Sequence, residues 1–139
     1  MNAVIDCSVA LSWVMPDERS QGVDQLLDHV IEEGGAVPLL FRVEVGNALL
    51  TGLRRNRITS DFLGRAVGRL DELPLHADTQ GADLVWTSCI DLASTYNLTL
   101  YDAVYLELAL RLRLPLATLD KKLAGAAENA GVAFNWSEL

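Results

Sequence analysis

Four carboxylates interrupt otherwise apolar chain, and all four are hard oxygen donors. Asp6 closes the run Ala3-Val4-Ile5, and Glu44 sits within Leu39-Leu40-Phe41-Arg42-Val43-Glu44-Val45. Asp102 opens Tyr101-Asp102-Ala103-Val104-Tyr105-Leu106, and Asp120 ends Leu116-Ala117-Thr118-Leu119-Asp120. Two carboxylates about 5 Å apart, at an effective dielectric of about 20, repel by about 3 kcal/mol, so a fold that brings these acids together needs a cation. An all-oxygen donor set selects Mg²⁺ or Mn²⁺ over softer metals, and such an ion acidifies its water and offsets negative charge building in a transition state. Hydrolysis at such a site requires no protein nucleophile. Zinc chemistry is disfavoured, because Cys7, Cys89, His29 and His76 show no paired ligand spacing.

Each acid also has a structural reading. Asp6 and Asp120 suit helix N-caps, whose side-chain oxygens accept otherwise unpaired backbone N–H groups. Asp102 lies three residues after Thr99, as the acidic member of a capping box does. Glu44 fits no such pattern. It sits among apolar residues of a helical segment, with Asn47 on the same face, and a buried carboxylate without a partner is costly.

The elements that must position these residues alternate between strand and helix. Strands are expected at residues 3–6, 36–38, 73–76, 114–118 and 132–135. Helices are expected at 8–15, halted near Pro16; at 20–33, ended by Gly34-Gly35; and at 39–55. Further helices are expected from a Ser60 cap to about 71, over 82–96, from a Thr99 cap over 100–111, and from Asp120 to about 130. Strands separated by helices pair in parallel, which implies a three-layer α/β/α class. In open parallel sheets, ligands bind beyond the carboxyl ends of strands at a switch in strand order, where Asp6 and Asp120 are expected.

Composition bounds the rest. The 139 residues, 50% hydrophobic, fit one domain over 1–139 with a real core, without repeat, low-complexity tract or linker. No apolar run approaches the ~20 residues of a membrane span, and the first residues lack the basic start of a secretion signal, so a cytoplasmic protein is expected. The net charge of −8 disfavours a nonspecific nucleic-acid coat. Cations nevertheless cluster at Arg42, Arg54, Arg55, Arg57, Arg65 and Arg69, and Lys121 and Lys122 follow Asp120. Arg54, Arg55 and Arg57 also suit a helix C-terminus.

The segments Val4-Ile5-Asp6-Cys7-Ser8-Val9-Ala10, Glu44-Val45-Gly46-Asn47-Ala48-Leu49, Leu100-Tyr101-Asp102-Ala103-Val104-Tyr105-Leu106-Glu107-Leu108-Ala109 and Ala117-Thr118-Leu119-Asp120-Lys121-Lys122-Leu123 resemble, in order, the PIN-domain family and specifically its VapC-type toxins. The resemblance spans nearly the whole chain. It implies a mostly parallel sheet of about five strands and a Mg²⁺- or Mn²⁺-dependent endoribonuclease, the toxin of a type II toxin–antitoxin pair. Asp6, Glu44, Asp102 and Asp120 take the positions of the family's acidic quartet, as metal ligands or as orienters of the attacking water. Ser8, Asn47 and Thr118 take supporting positions. The resemblance further implies an RNA substrate, a VapB-type antitoxin lying in an apolar groove, and a homodimer. Trp13, Val14, Phe41, Leu49 and Leu50 suit such a groove, although helical apolar positions are more often core. Two alternatives remain at this level. One is a catalytically silent PIN-like interaction module. The other is an aspartyl-phosphate phosphatase, against which Ser8 counts, because that family resembles Asp-x-Asp at this point.

Overall fold

Short apolar segments joined by helical crossovers can pair only in parallel, and the computed structural model, which describes residues 2–139, has that arrangement. Strands β1 (Val4–Ile5), β2 (Gly35–Pro38), β3 (Leu75–Asp78) and β4 (Leu116–Ala117) form one parallel sheet in the order β3-β2-β1-β4. Val4 pairs with Ala36 on one side and Leu116 on the other, and β2 and β3 pair from Gly35 opposite Leu75 to Pro38 opposite Asp78. The direction of strand addition therefore reverses between β1 and β4. The fifth strand expected over 132–135 is reduced to one parallel bridge between Leu116 and Ala133. With only two residues in β4, the sheet edge supports no longer ladder.

Helices α1 (Cys7–Val14), α2 (Gln21–Glu33), α3 (Leu40–Arg54) and α4 (Ser60–Asp71) follow β1 and β2 and pack on one another. Helices α5 (Ile90–Tyr96), α6 (Leu100–Leu112) and α7 (Lys121–Asn129) form the other layer, with α6 lying against β1, β2 and β4. Three layers result, as the alternation of segments requires. Pro16 stops α1 and opens the 3-10 turn Pro16–Glu18. Gly34 ends α2 at φ +79°, and a Cβ there would stand 3.1 Å from the Pro74 carbonyl, so both the turn and the approach of β3 need glycine.

Several element boundaries differ from expectation: the strand expected over 73–76 runs Leu75–Asp78, and that expected over 114–118 is only Leu116–Ala117. Thr59, not Ser60, caps α4: its backbone is extended and its hydroxyl accepts from Phe62 N at 3.1 Å. The single helix expected over 82–96 is three segments, a 3-10 turn Gly81–Leu84, a π turn Val85–Cys89 and α5. A π turn inserts a residue into the helical count, which apolar spacing cannot register.

Trp13, Tyr105, Ile5, Leu26 and Leu106 anchor the core, and Trp13 Nε1 satisfies itself on the Val23 carbonyl at 2.7 Å. Of the residues considered for a partner groove, Trp13, Val14, Phe41 and Leu49 are core, and Leu50 is 37% exposed. No helix among the described residues is long and apolar enough to cross a membrane.

Candidate active site

The switch in strand order brings two segments side by side. Asp6 leaves β1 and Thr118 leaves β4, and the Asp6 N–H donates to the Ala117 carbonyl at 3.1 Å. Asp6 occupies the N-cap position of α1 with an extended backbone, yet its side chain makes no capping bond. Instead its Oδ2 accepts from the Ser8 and Thr118 hydroxyls, both at 2.7 Å, which leaves Oδ1 available to another partner. The Leu119 N–H donates to Ser8 Oγ at 2.9 Å and the Asp120 N–H to Thr118 Oγ1 at 3.1 Å, so the two hydroxyls also clamp the loop after β4. The N-cap explanation of Asp6 therefore fails. It holds in part for Asp120, whose Oδ2 accepts from the Leu123 N–H at 3.3 Å while the residue remains exposed.

Glu44 is in the second turn of α3, which begins two residues beyond β2, and Asp102 is in the first turn of α6. Thr99 fixes that turn by accepting from the Asp102 N–H at 3.2 Å. Both residues are half-buried. Burial pushes the Glu44 pKa up from its ordinary 4.5; the facing Tyr105 hydroxyl opposes this, and the charges of Asp6 and Asp102 add to it. Burial likewise pushes Asp102 up from 3.8, reinforced by Asp120 and Asp6 and opposed by Thr99 and Lys122. Asp6, Glu44 and Asp102 thus lie within electrostatic reach of one another, and Asp120 within reach of Asp102. Cys7, next to Asp6, is pushed up to about 12 by burial, then by Glu44 and Asp6, so it stays a neutral thiol.

The donor set suits a hard divalent cation. Buried Asp6 accepts no hydrogen bond on Oδ1 from any described residue, and the half-buried Glu44 and Asp102 carboxyls are raised in part by the charge of neighbouring acids, the conditions that an oxygen-seeking ion relieves. In the present side-chain conformations, no three Asp, Glu, His or Cys groups among the described residues stand close enough to share one ion. A hard ion is commonly held by one or two carboxylates completed by water, and of the four acids Asp6 is the one already fixed, by two hydroxyls.

Asn47 is not part of this arrangement. It is exposed, and no side-chain hydrogen bond among the described residues joins it to an acid. Two other residues, one at the site and one remote from it on the same helix, escaped sequence reasoning. Tyr105, fully buried and one turn beyond Asp102, faces Glu44; its only signal was an aromatic hydroxyl in an aliphatic run. Arg111 joins Asp78 and Glu107 farther along α6, and only its i, i+4 spacing from Glu107 was visible.

Beside the acids lies an apolar groove of about 590 Å³, lined by residues including Leu39, Leu40, Val43, Val85, Tyr101 and Val104. Val43 and Tyr101, the chain neighbours of Glu44 and Asp102, are 69% and 63% exposed. A smaller groove of about 170 Å³ separates α1 from the end of α3 and includes Leu11, Met15, Leu49, Ile58, Arg55 and Arg57.

A family model described as the PIN domain matches residues 3–129. The chain belongs to the PIN-domain family. Among curated proteins it is similar to Ribonuclease VapC3 of Pyrobaculum aerophilum, 28% identical over 124 residues that cover 89% of this chain and 93% of that protein. Two crystal structures share the PIN fold. That of PAE2754 from Pyrobaculum aerophilum has a TM-score of 0.69 at 21% identity, covering 99% of this chain and 91% of the other. That of FitAcB from Neisseria gonorrhoeae has a TM-score of 0.68 at 18% identity, covering 99% of both. PIN membership leaves the aspartyl-phosphate phosphatase alternative without support, and Ser8 serves Asp6 as a hydrogen-bond donor.

Proposed function

We propose that this chain is a single-domain, Mg²⁺- or Mn²⁺-dependent endoribonuclease of the cytoplasm, the VapC-type toxin of a type II toxin–antitoxin pair. The observation that carries the reading is the set of mutually repelling carboxylates, Glu44 and Asp102 half-buried and Asp6 buried, at the switch point of a PIN fold. The similarity to a protein named a VapC ribonuclease supports RNA as the substrate.

Asp6 and Asp102 would hold the cation directly or through water, Glu44 would ligate it or orient the attacking water, and Asp120 would support the rim or a second ion. When bound, the cation supplies an acidified water and offsets the charge that builds on the scissile phosphodiester. Ser8 and Thr118 hold Asp6 Oδ2, so its other oxygen needs little reorganisation to serve. Thr118 also anchors Asp120 through the backbone, which ties the position of the fourth acid to the first. Lys122, whose charge already acts on Asp102, and exposed Lys121 offer phosphate contacts on an otherwise acidic chain. Association with a second copy and with an antitoxin belongs to the same proposal. The exposed apolar surface around Val43 and Tyr101 supports burial of a protein partner.

The test is cleavage of RNA by the purified chain freed of any antitoxin. Turnover is expected with Mg²⁺ or Mn²⁺, and it should fall by about 10³-fold in Asp6→Asn, the size of loss seen when one preorganised electrostatic group is removed. Undiminished cleavage in excess chelator contradicts the proposal. Acid-dependent binding of a basic peptide with no turnover on any RNA would instead favour a silent interaction module.

A further inference from the structure

Helix α6 delivers two polar groups to the acidic rim. Asp102 is one; Tyr105, three residues later and so on the same face, is the other. Tyr105 is 0% exposed, and its hydroxyl has no hydrogen-bond partner. Buried tyrosine hydroxyls nearly always find one, and an orphan among otherwise apolar neighbours is costly to keep. The group it faces, Glu44 Oε1, is buried and equally unpartnered. One is an obligate donor to an ionised carboxylate and the other an acceptor, so a modest turn of the Glu44 side chain satisfies both. A phenolic hydroxyl, with an ordinary pKa of about 10, is a donor at neutral pH.

We propose that Tyr105 is a positioning residue for Glu44, its hydroxyl donating to the carboxylate and aiming the free oxygen toward the cation held with Asp6 and Asp102. The inference rests on the reading of the rim as a divalent-cation site. Asp6 is positioned by two hydroxyls, from Ser8 and Thr118, and Tyr105 supplies the corresponding hydroxyl to Glu44. Glu44 enters the pocket from α3, whereas its orienting group enters from α6, so the contact also couples the two helices that carry the half-buried acids.

The experiment is calorimetric titration of Mn²⁺ into the full-length chain, using wild type, Tyr105→Phe, Glu44→Gln and the double variant, with thermal melting of each. Tyr105→Phe keeps the ring and should melt at or above the wild-type temperature. It is expected to weaken Mn²⁺ binding about tenfold, the lower end of what loss of a ligand-orienting group costs. In the Glu44→Gln background, the same change should have no further effect, because no ionised carboxylate remains to be aimed. Equal weakening in both backgrounds, unchanged affinity in Tyr105→Phe, or loss of native melting would each overturn the proposal, the first and last assigning the hydroxyl a purely structural role. Absence of Mn²⁺ binding by the wild type would overturn the cation-site reading itself, and is distinguishable from the other outcomes.

Discussion

Helix α6 carries two acidic neighbourhoods, of which one has a guanidinium bonded directly to its carboxylates and the other feels only the more distant charge of Lys122. Near its N-terminus, Asp102 meets Asp6 and Asp120, and its carboxyl is pushed above the usual carboxylate range. About 13 Å farther along the axis, Arg111 joins Asp78 at the end of β3 to Glu107 one turn back on its own helix. The guanidinium makes bonds of 2.7 and 3.0 Å to Asp78 and of 2.9 to 3.2 Å to Glu107. Asp78 is consequently held below its usual range, first by Arg111 and then by the Gly81 and Gln80 N–H groups. Even the turn is built around it, since a Cβ on Gly81 would stand 2.7 Å from Asp78 Oδ2. Two similar sets of acids on one helix therefore have opposite characters. Where arginine is built in, the carboxylates fasten α6 to the sheet; where none is, the repulsion is left for an outside cation to relieve.

The contrast is broken most forcefully at Arg111. Arg111→Met keeps much of the packing but leaves Asp78 and Glu107 facing each other largely out of water, the situation in which one partner of a buried pair has been removed. A loss of about 3 kcal/mol in denaturant-induced unfolding is expected, with Mn²⁺ affinity of the folded fraction retained. At the rim, Thr118→Val removes one of the two hydroxyls that hold Asp6 and the acceptor of the Asp120 N–H. RNA cleavage should fall about tenfold, or about 1.4 kcal/mol, close to the lower limit for a hydrogen bond to a charged group. The smallest effect has the opposite sign to that at Arg111. Asp102→Asn relieves repulsion among half-exposed charges, so it should stabilise the cation-free chain at neutral pH by about 0.5 kcal/mol, a value kept small by solvent screening, while abolishing cleavage.

Much of the rim was legible from the chain because its acids are conspicuous: a carboxylate after a buried strand or inside an apolar helix stands out against its neighbours. Strand–helix alternation likewise fixed the parallel sheet and the location of Asp6 and Asp120 at a switch in strand order. What was illegible depended on contacts between distant segments. Asp78 and Arg111 are 33 residues apart, and each is an ordinary surface type until the fold joins them. Asn47 looked like a partner of Glu44 because helical spacing places the two on one face, yet that face is wide enough for Asn47 to reach solvent. The α4 cap was expected at Ser60, one residue late, because the extended backbone that marks Thr59 as the cap is not written in residue type. The fifth strand failed because its ladder depends on the length of β4, a property of the neighbouring segment.

The pH dependence follows from the raised acids with a definite sign. Glu44 and Asp102 bind protons more tightly when folded, so their contribution to stability is present in full below the ordinary 3.8–4.5 range and is lost as pH rises through their elevated folded values. Asp78 runs the other way, its contribution being lost as pH falls through its depressed value. A divalent cation competes with protons for the raised pair and should matter most where both are ionised. Thermal melting with and without Mn²⁺, at pH 7.5 and at pH 4.5, addresses this directly. A clear Mn²⁺-dependent rise in melting temperature at pH 7.5 that shrinks or vanishes at pH 4.5 is expected; no rise at either pH would contradict a cation site built from these carboxylates.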